Sequence, residues 1–329
     1  MMHLHLHLYT TRDKAPGAEF EESKHPRAKN GEFGQGGSGA AAAKKPAAAA
    51  PGAQTAAWKK PDGSAFGAAD AARLKALGTP PAWTAVRLSP DPAAALQVTG
   101  KDAKGRTQYL YSAEHSEKAA AEKFARLKEF NAAAPKIAAA AAAQMNDPKI
   151  KPTTRDAAAV VSLISETGFR IGSDADTGAD VKAHGASTLT GAHVKIDGSK
   201  VAFSFIGKKG VSITKEIDSK PLAEYIGAKK KAAGSADAPL FDTSDGAVRD
   251  WFKANGGGDF KVKDFRTWNG TEKAIEAIQA MPAPKTKAEY DKARAAVGKI
   301  VAAHLGNTPT VALAAYIDPA VFANWSVKQ

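Results

Sequence analysis

Cysteine is absent from all 329 residues of the chain, and its absence removes three classes of chemistry at once. Without thiols the chain can form no disulfide framework, no thiolate zinc site and no cysteine nucleophile. Any nucleophile in this protein must therefore be an oxygen or a nitrogen atom.

Long apolar runs are also missing from the sequence. No stretch approaches the roughly 20 apolar residues needed to cross a bilayer, and the first ten residues lack the continuous apolar core of a signal peptide. We therefore expect a protein that is neither embedded in a membrane nor secreted, and that works in the cytoplasm.

Acidic residues are in deficit relative to basic ones. The chain has 46 Lys and Arg residues against 34 Asp and Glu residues, which gives a formal net charge of +12. Such a protein is attracted to polyanions, with nucleic acid as the first expectation and an anionic membrane surface as the second. The length allows two domains with their own cores and a tail.

Residues 1–57 form the predicted tail. His3, His5 and His7 alternate with leucines, a strand period that favours an edge strand or frayed terminus over a metal site, because no further ligand follows at useful spacing. Residues 20–34 resemble short phage-encoded sequences. Residues 36–57 consist mostly of Gly, Ala, Pro and Lys, which cannot bury enough apolar surface to order the chain. We predict a disordered, basic linker there.

Residues 58–150 are predicted to form an N-terminal domain around a small antiparallel sheet. Turn signals separate β-type runs at 84–88, 95–99 and 107–111, and helical patterns follow at 117–130 and 135–143. The basic residues near one turn are Lys101, Lys104 and Arg106. They either follow the phosphate backbone of a nucleic acid or form a solvated hairpin tip. Gln97 is the candidate for a base contact.

Residues 151–329 are predicted to form a mainly helical domain that carries a three- to four-stranded antiparallel sheet. Its first helix, 157–167, has Thr154 and Asp156 as candidate N-caps. The β-type runs are at 187–189, 193–197, 200–206 and 211–217. The later helices are predicted at 222–231, 247–255, 270–280 and 287–304, before a last helix with Tyr316. The fold class is therefore α+β.

Three residues of this domain invite a chemical interpretation. Arg170 stands between apolar neighbours, where burying an unpaired guanidinium is costly, so it either pairs with Glu166 or faces a ligand. Lys208 falls at a predicted hairpin tip, where many lysines are merely solvated. Tyr316 is a candidate nucleophile, but a phenol with a free pKa of about 10 needs cationic neighbours to attack at neutral pH.

Several segments, in order and spacing, resemble the type IB DNA topoisomerases, in particular the small bacterial and poxvirus-like form. The matching segments are PPAWT, SPDP and LQVTGKDAKGRTQYLY, followed by ETGFRIG, TLTGAHVKIDG, FSFIGKKGV, VKDFRTWNGT and LGNTPTVALAAYIDPAV. The resemblance covers about residues 58–325. It implies a monomer that clamps double-stranded DNA near the nucleoid.

The resemblance also implies a role for each of five side chains. Tyr316 would attack a phosphodiester and form a 3′-phosphotyrosyl link. Arg170, Arg266 and Asn307 would hold the non-bridging oxygens of the transition state, and Lys208 would protonate the leaving 5′-oxygen. Supercoils would relax by rotation, and religation would need neither ATP nor metal. The sequence has neither a Walker-type glycine loop for ATP nor a carboxylate cluster for a metal ion, which agrees with this expectation.

Several points leave alternatives open. Lys209 competes with Lys208 for the acid role and, like Lys263, is otherwise a candidate DNA contact. Asp176 stands where bacterial members usually have a tyrosine that contacts phosphate. A tyrosine recombinase shares the nucleophile but typically has His-x-x-Arg where this chain has Lys263 to Arg266. A non-catalytic DNA-binding or virion protein is the more distant alternative.

Overall fold

The N-terminal sheet is antiparallel, with strand order β1-β2-β3. A computed structural model describes residues 58–173 and 182–325, and in it a first helix, α1 (Ala68–Ala76), precedes β1 (Thr84–Leu88), β2 (Leu96–Lys101) and β3 (Thr107–Tyr111). The small core beneath the sheet includes Trp58, Leu74, Val86 and Val98. The three predicted β-type runs are thus confirmed as strands within one or two residues.

One continuous helix, α2 (Ala113–Asn146), replaces the two shorter helices predicted at 117–130 and 135–143. Pro135 lies inside it, although proline removes a backbone donor and usually ends or kinks a helix. The buried side chains Phe130, Ala134, Ile137 and Ala141 keep helical spacing across the proline. Packing of this continuous apolar face against its neighbours outweighs the local signal.

The helix at the centre of the main hydrophobic core is α3 (Pro152–Thr167), which is buried along almost its whole length. Its N-cap is Lys151 with Pro152 in the first turn, so the predicted caps were wrong. Asp156 lies inside the helix, fully buried, and accepts hydrogen bonds from the Tyr225 hydroxyl at 2.7 Å and Lys229 Nζ at 2.6 Å. Its carboxylate joins α3 to a later helix, which sequence spacing alone does not reveal.

The second sheet has three antiparallel strands: β4 (Val194–Asp197), β5 (Lys200–Ile206) and β6 (Ser212–Asp218). The predicted run at 187–189 is instead part of a 3₁₀ turn, Ala186–Thr188. The turn between β5 and β6 is closed by the Gly207 amide, which donates to the Val211 carbonyl at 2.8 Å. Lys208 thus lies in a hairpin turn, as predicted.

Five α-helices follow the second sheet in the described part of the chain. They are α4 (Lys220–Ala232), α5 (Asp245–Asn255), α6 (Asp264–Gln279), α7 (Lys287–Leu305) and α8 (Pro309–Ala315). Gly306 ends α7 in the left-handed conformation, at φ 60° and ψ 57°, and Thr308 caps α8 by accepting from the Val311 amide. Both signals were predicted from the sequence. Tyr316 immediately follows α8.

The α+β fold class is confirmed, with a small antiparallel sheet and helices before a mainly helical part with a second sheet. None of the described helices is long and apolar enough to span a membrane. The predictions for the histidine alternation and for the linker fall on residues 1–57, outside the described residues.

Candidate active site

Tyr316 is held at the end of α8 against α6. Its amide donates to the Ala312 carbonyl at 3.0 Å, and its own carbonyl approaches Gly270 so closely that a Cβ there would lie 2.4 Å from it. The Thr271 hydroxyl accepts from the Asp318 amide at 3.1 Å. The backbone of Tyr316 is therefore held to α8 through its amide, and the chain from its carbonyl to Asp318 is held against α6, so these contacts orient the half-buried ring.

Arg266 lies beneath the Tyr316 ring. It is in the first turn of α6, only 3% exposed, and its guanidinium carbon is 4.9 Å from the ring centroid. Nη1 donates to the Gly168 carbonyl and Nη2 to the Leu305 carbonyl. Nε is buried and makes no hydrogen bond within the described residues. The Nε–H group is thus left as a donor for a further acceptor.

Arg170 reaches the site from the segment after α3. Gly168 ends that helix in the left-handed conformation, and the Ala186 amide then donates to the Arg170 carbonyl at 2.8 Å. Gly185 permits this pairing, because a Cβ there would lie 2.6 Å from the Arg170 carbonyl oxygen. Glu166 accepts from the Ser219 hydroxyl at 3.0 Å, and no ion pair among the described residues joins it to Arg170.

The two arginines change the acidity of the phenol. Burial on its own would raise the pKa of Tyr316, but the charge and hydrogen bonding of Arg266, followed by those of Arg170, together outweigh burial and hold the pKa below its ordinary value of 10.0. Burial, with Arg170 nearby, lowers the pKa of Arg266 to about 10. Arg266 is still a cation at neutral pH, so the phenol has the kind of cationic neighbour that a phenolic nucleophile would need.

Asn307 presents an unpaired amide next to these groups. Its backbone amide donates to the Ala302 carbonyl at 3.0 Å just after α7 ends, and Arg266 binds the carbonyl of Leu305, two residues earlier. The side-chain Nδ2 and Oδ1 atoms are both buried, and neither has a hydrogen-bond partner within the described residues. Since a buried unpaired polar group costs about 1–3 kcal/mol, this amide points to a ligand.

Lys208 is exposed on the β5–β6 turn, and no hydrogen bond or ion pair joins it to the other four candidates within the described residues. The hairpin nevertheless lies beside the Asn307 segment, because Ile213 of β6 would be 3.0 Å from a Cβ at Gly306. The Lys209 side chain and Asp176 are outside the described residues. The structure thus brings Tyr316, Arg266 and Arg170 together, with Asn307 adjacent and Lys208 on a neighbouring turn.

The predicted DNA-contacting residues differ in their surroundings. Lys101, Lys104 and Lys263 are exposed, whereas Arg106 forms an ion pair with Asp102 at 2.7 Å. Gln97 is only 2% exposed, and its amide bonds to Arg73 and to the carbonyls of the preceding loop. The hydrogen-bonding groups of the Gln97 amide are therefore already taken up within the protein, and the buried side chain is not placed to contact a base.

Comparison with known families settles the class of protein. The family described as eukaryotic DNA topoisomerase I, catalytic core, matches residues 112–322, more than half of the chain. The chain belongs to the type IB DNA topoisomerases. The bacterial DNA topoisomerase IB N-terminal domain matches residues 57–102. DNA topoisomerase 1B of Acanthamoeba polyphaga mimivirus is 27% identical over 266 residues, which cover 75% of this chain and 77% of the relative.

Sequence reasoning missed two exposed aromatic residues of this type IB topoisomerase. Tyr109 is 54% exposed and Tyr111 is 48% exposed, and both lie on β3 in register with β2 residues Thr99 and Leu96. Aromatic rings on a basic sheet can contact bases or sugars. The alternation of polar and apolar residues along β3 was the available signal, because it places both tyrosines on one face.

It also missed two lysines that bind carbonyls at the ends of helices near the site. Lys123 Nζ donates to the Ala315 carbonyl at 2.7 Å, and Lys215 Nζ donates to the Thr167 carbonyl at 2.6 Å and contacts the His304 ring. Burial, with Arg266 next in effect, lowers the pKa of Lys215 to about 7. Neither residue lies in a motif, so only the three-dimensional contacts reveal them. No metal-binding group of three or more side chains occurs in the described parts.

Proposed function

We propose that this protein relaxes supercoiled DNA by nicking one strand through a covalent phosphotyrosyl intermediate, without ATP or a metal ion. The observation that carries the proposal is the Tyr316 ring over the buried cation Arg266, 4.9 Å from ring centroid to guanidinium carbon, beside the unpaired amide of Asn307. Membership of the type IB family makes DNA the substrate class.

The first step is attack by the phenol. The lowered pKa of Tyr316 eases loss of its proton to solvent, and the phenolate oxygen then bonds to the phosphorus while the bond from phosphorus to the 5′-oxygen breaks. The products are a 3′-phosphotyrosyl link and a free 5′-hydroxyl strand. Because the ester keeps the bond energy, the reverse attack by the 5′-hydroxyl reseals the strand without a nucleotide.

The transition state concentrates negative charge on the non-bridging oxygens of the phosphate. Arg170 and Arg266 are cations beside the nucleophile, and the Nε of Arg266 and the Nδ2 of Asn307 are buried donors without partners in the described residues. Donors already fixed in place stabilise developing charge without having to reorganise during the reaction. These residues would therefore bind the oxygens more tightly as charge develops.

The leaving 5′-oxygen needs a proton, and Lys208 is the proposed donor. It lies on an exposed hairpin turn, so the hairpin must close on bound DNA before the ammonium reaches the site. The adjacent packing of Ile213 against Gly306 supports a short movement rather than a long one. A general acid typically contributes about 10²- to 10⁴-fold to the rate.

Residues 58–150 are proposed to clamp the duplex as a domain distinct from the catalytic residues 151–329. Support comes from the exposed Lys101 and the exposed rings of Tyr109 and Tyr111 on one sheet. Cations at this surface would bind phosphates irrespective of sequence. We propose that one chain acts as a monomer, at the nucleoid of its host. The viral source of one relative supports a phage-encoded origin.

The test is relaxation of positively and negatively supercoiled plasmid in EDTA without ATP. The wild-type protein should relax both, and Tyr316→Phe should relax neither and should yield no protein–DNA adduct after SDS quenching. Tyr290→Phe is the matched control, because that ring packs on Trp325 in the C-terminal core. An adduct formed by Tyr316→Phe would refute the assignment of the nucleophile.

A further inference from the structure

The long helix α2 connects the N-terminal sheet directly to the active site. It begins immediately after β3, with Ser112 as its N-cap, whose hydroxyl accepts from the His115 amide at 3.1 Å. One helical face then carries Lys123, Arg126 and Phe130, spaced so that they lie on the same side. Lys123 contacts the end of α8, whereas Arg126 and Phe130 contact the start of α6.

Lys123 reaches the residue next to the nucleophile. Its ammonium donates to the carbonyl of Ala315 at 2.7 Å and lies 4.0 Å from the centroid of the Phe124 ring. Ala315 is the last residue of α8 and directly precedes Tyr316. The final carbonyls of a helix lack partners within it and favour a cation, so Lys123 fixes the end of α8 from which Tyr316 emerges.

Arg126, one turn further along, contacts the helix that carries Arg266. Its Nε is 3.2 Å from Oδ2 of Asp264, a residue only 4% exposed. The same oxygen accepts from the Lys261 amide at 2.9 Å, which fixes the turn before α6. Phe130 packs edge-on against Phe265, with ring centroids 5.0 Å apart. α2 is thus attached on both sides of the Tyr316–Arg266 pair.

We propose that Lys123 is a positioning residue for Tyr316, and that it makes alignment of the nucleophile depend on α2 and hence on the N-terminal sheet. The inference rests on the proposed transesterification. The Lys123 ammonium is partly removed from solvent, in agreement with a structural contact. Burial lowers the pKa of Lys123, the charge of Lys263 lowers it further, and the charge of Asp264 raises it.

The experiment compares Lys123→Met, Lys123→Arg and Lys128→Met. Lys128 lies exposed on the same helix, so its substitution removes the same charge without touching α8. Covalent adduct formation is measured under single-turnover conditions at saturating DNA, and DNA affinity is measured separately. Misplacing the nucleophile should slow adduct formation by roughly 10- to 100-fold in Lys123→Met, with affinity matching that of Lys128→Met. Lys123→Arg should restore most of the rate.

A second substrate separates alignment from loss of acid catalysis. With a 5′-thio leaving group, which needs no protonation, Lys123→Met should remain as slow relative to wild type as it is with ordinary DNA. Rescue by the thio substrate, a rate equal to that of Lys128→Met, or a parallel loss of affinity and rate would each overturn the inference. If the wild-type protein itself forms no adduct, the proposed function fails instead.

Discussion

Replacement of Asn307 by leucine should make the protein more stable and less active at the same time. Its Nδ2 and Oδ1 atoms are buried without a hydrogen-bond partner in the described residues, and an unpaired buried polar group costs about 1–3 kcal/mol. Leucine has a similar branched shape and no polar atoms. We therefore expect the free energy of unfolding to rise by about 1–3 kcal/mol, less whatever its extra volume costs in packing.

The same substitution removes a donor that is proposed to bind the transition state. Loss of one such donor lowers rates by about 10²- to 10³-fold, so single-turnover cleavage should fall by that factor. Urea unfolding followed by tryptophan fluorescence measures the stability. For two-state unfolding of a protein of this size, each 1 kcal/mol also raises the melting temperature by about 2–4 °C.

Asn255→Leu is the matched control for this prediction. The Asn255 amide donates to the Trp251 carbonyl at 2.8 Å and accepts from Gln144 at 2.8 Å, so both of its polar groups are paired. Its replacement should destabilise the protein and leave cleavage unchanged. If Asn307→Leu is less stable than the wild-type protein, or cleaves DNA at the wild-type rate, then the Asn307 amide does not bind a ligand in the way proposed.

Two further predictions concern lysines. Lys208→Ala should slow cleavage of an ordinary phosphodiester by about 10²- to 10⁴-fold but slow a 5′-thio substrate much less; equal slowing of both would remove Lys208 from the acid role. The pKa of Lys215 is lowered from 10.5 to about 7, first by burial. Between pH 7 and pH 10.5 the Lys215 amine is therefore more protonated in the unfolded chain than in the folded protein. The free energy of unfolding of the wild-type protein should accordingly rise with pH in this range, by up to about 1.4 kcal/mol per pH unit. Urea titrations at several pH values should show that Lys215→Met lacks this rise; an equal rise in both proteins would contradict the assignment.

Features set by local signals could be predicted from the sequence. Gly306 and Thr308 end one helix and begin the next because a left-handed residue and a hydroxyl cap act within a few residues of themselves. The strands of both sheets follow from β-type runs between turn residues, and their bounds agree closely with those observed. Local chemistry was enough to place Lys208 on a hairpin turn. Tyr316 was predicted to lie on the last helix, but that helix ends at Ala315 and Tyr316 is the residue that follows it.

Features set by distant partners could not be predicted in this way. Asp156 was read as a helix cap because its type suits that position, but its carboxylate bonds to Tyr225 and Lys229, far along the chain. Gln97 was read as a base contact, but Arg73 and nearby carbonyls take up its amide. In both cases the spacing of neighbouring residues carries no information about the side chain that satisfies the polar group.

The way in which the site holds its cations explains how it can attract phosphate. Arg266 donates to the carbonyls of Gly168 and Leu305, and Lys215 donates to that of Thr167. These carbonyls end α3 and α7, where unpaired helix carbonyls carry partial negative charge. No ion pair among the described residues involves Arg170, Arg266 or Lys215. Helix-end carbonyls rather than carboxylates therefore contact Arg266 and Lys215. Arg266 remains a cation at neutral pH without an ion pair in the described residues, as binding of the proposed scissile phosphate would require.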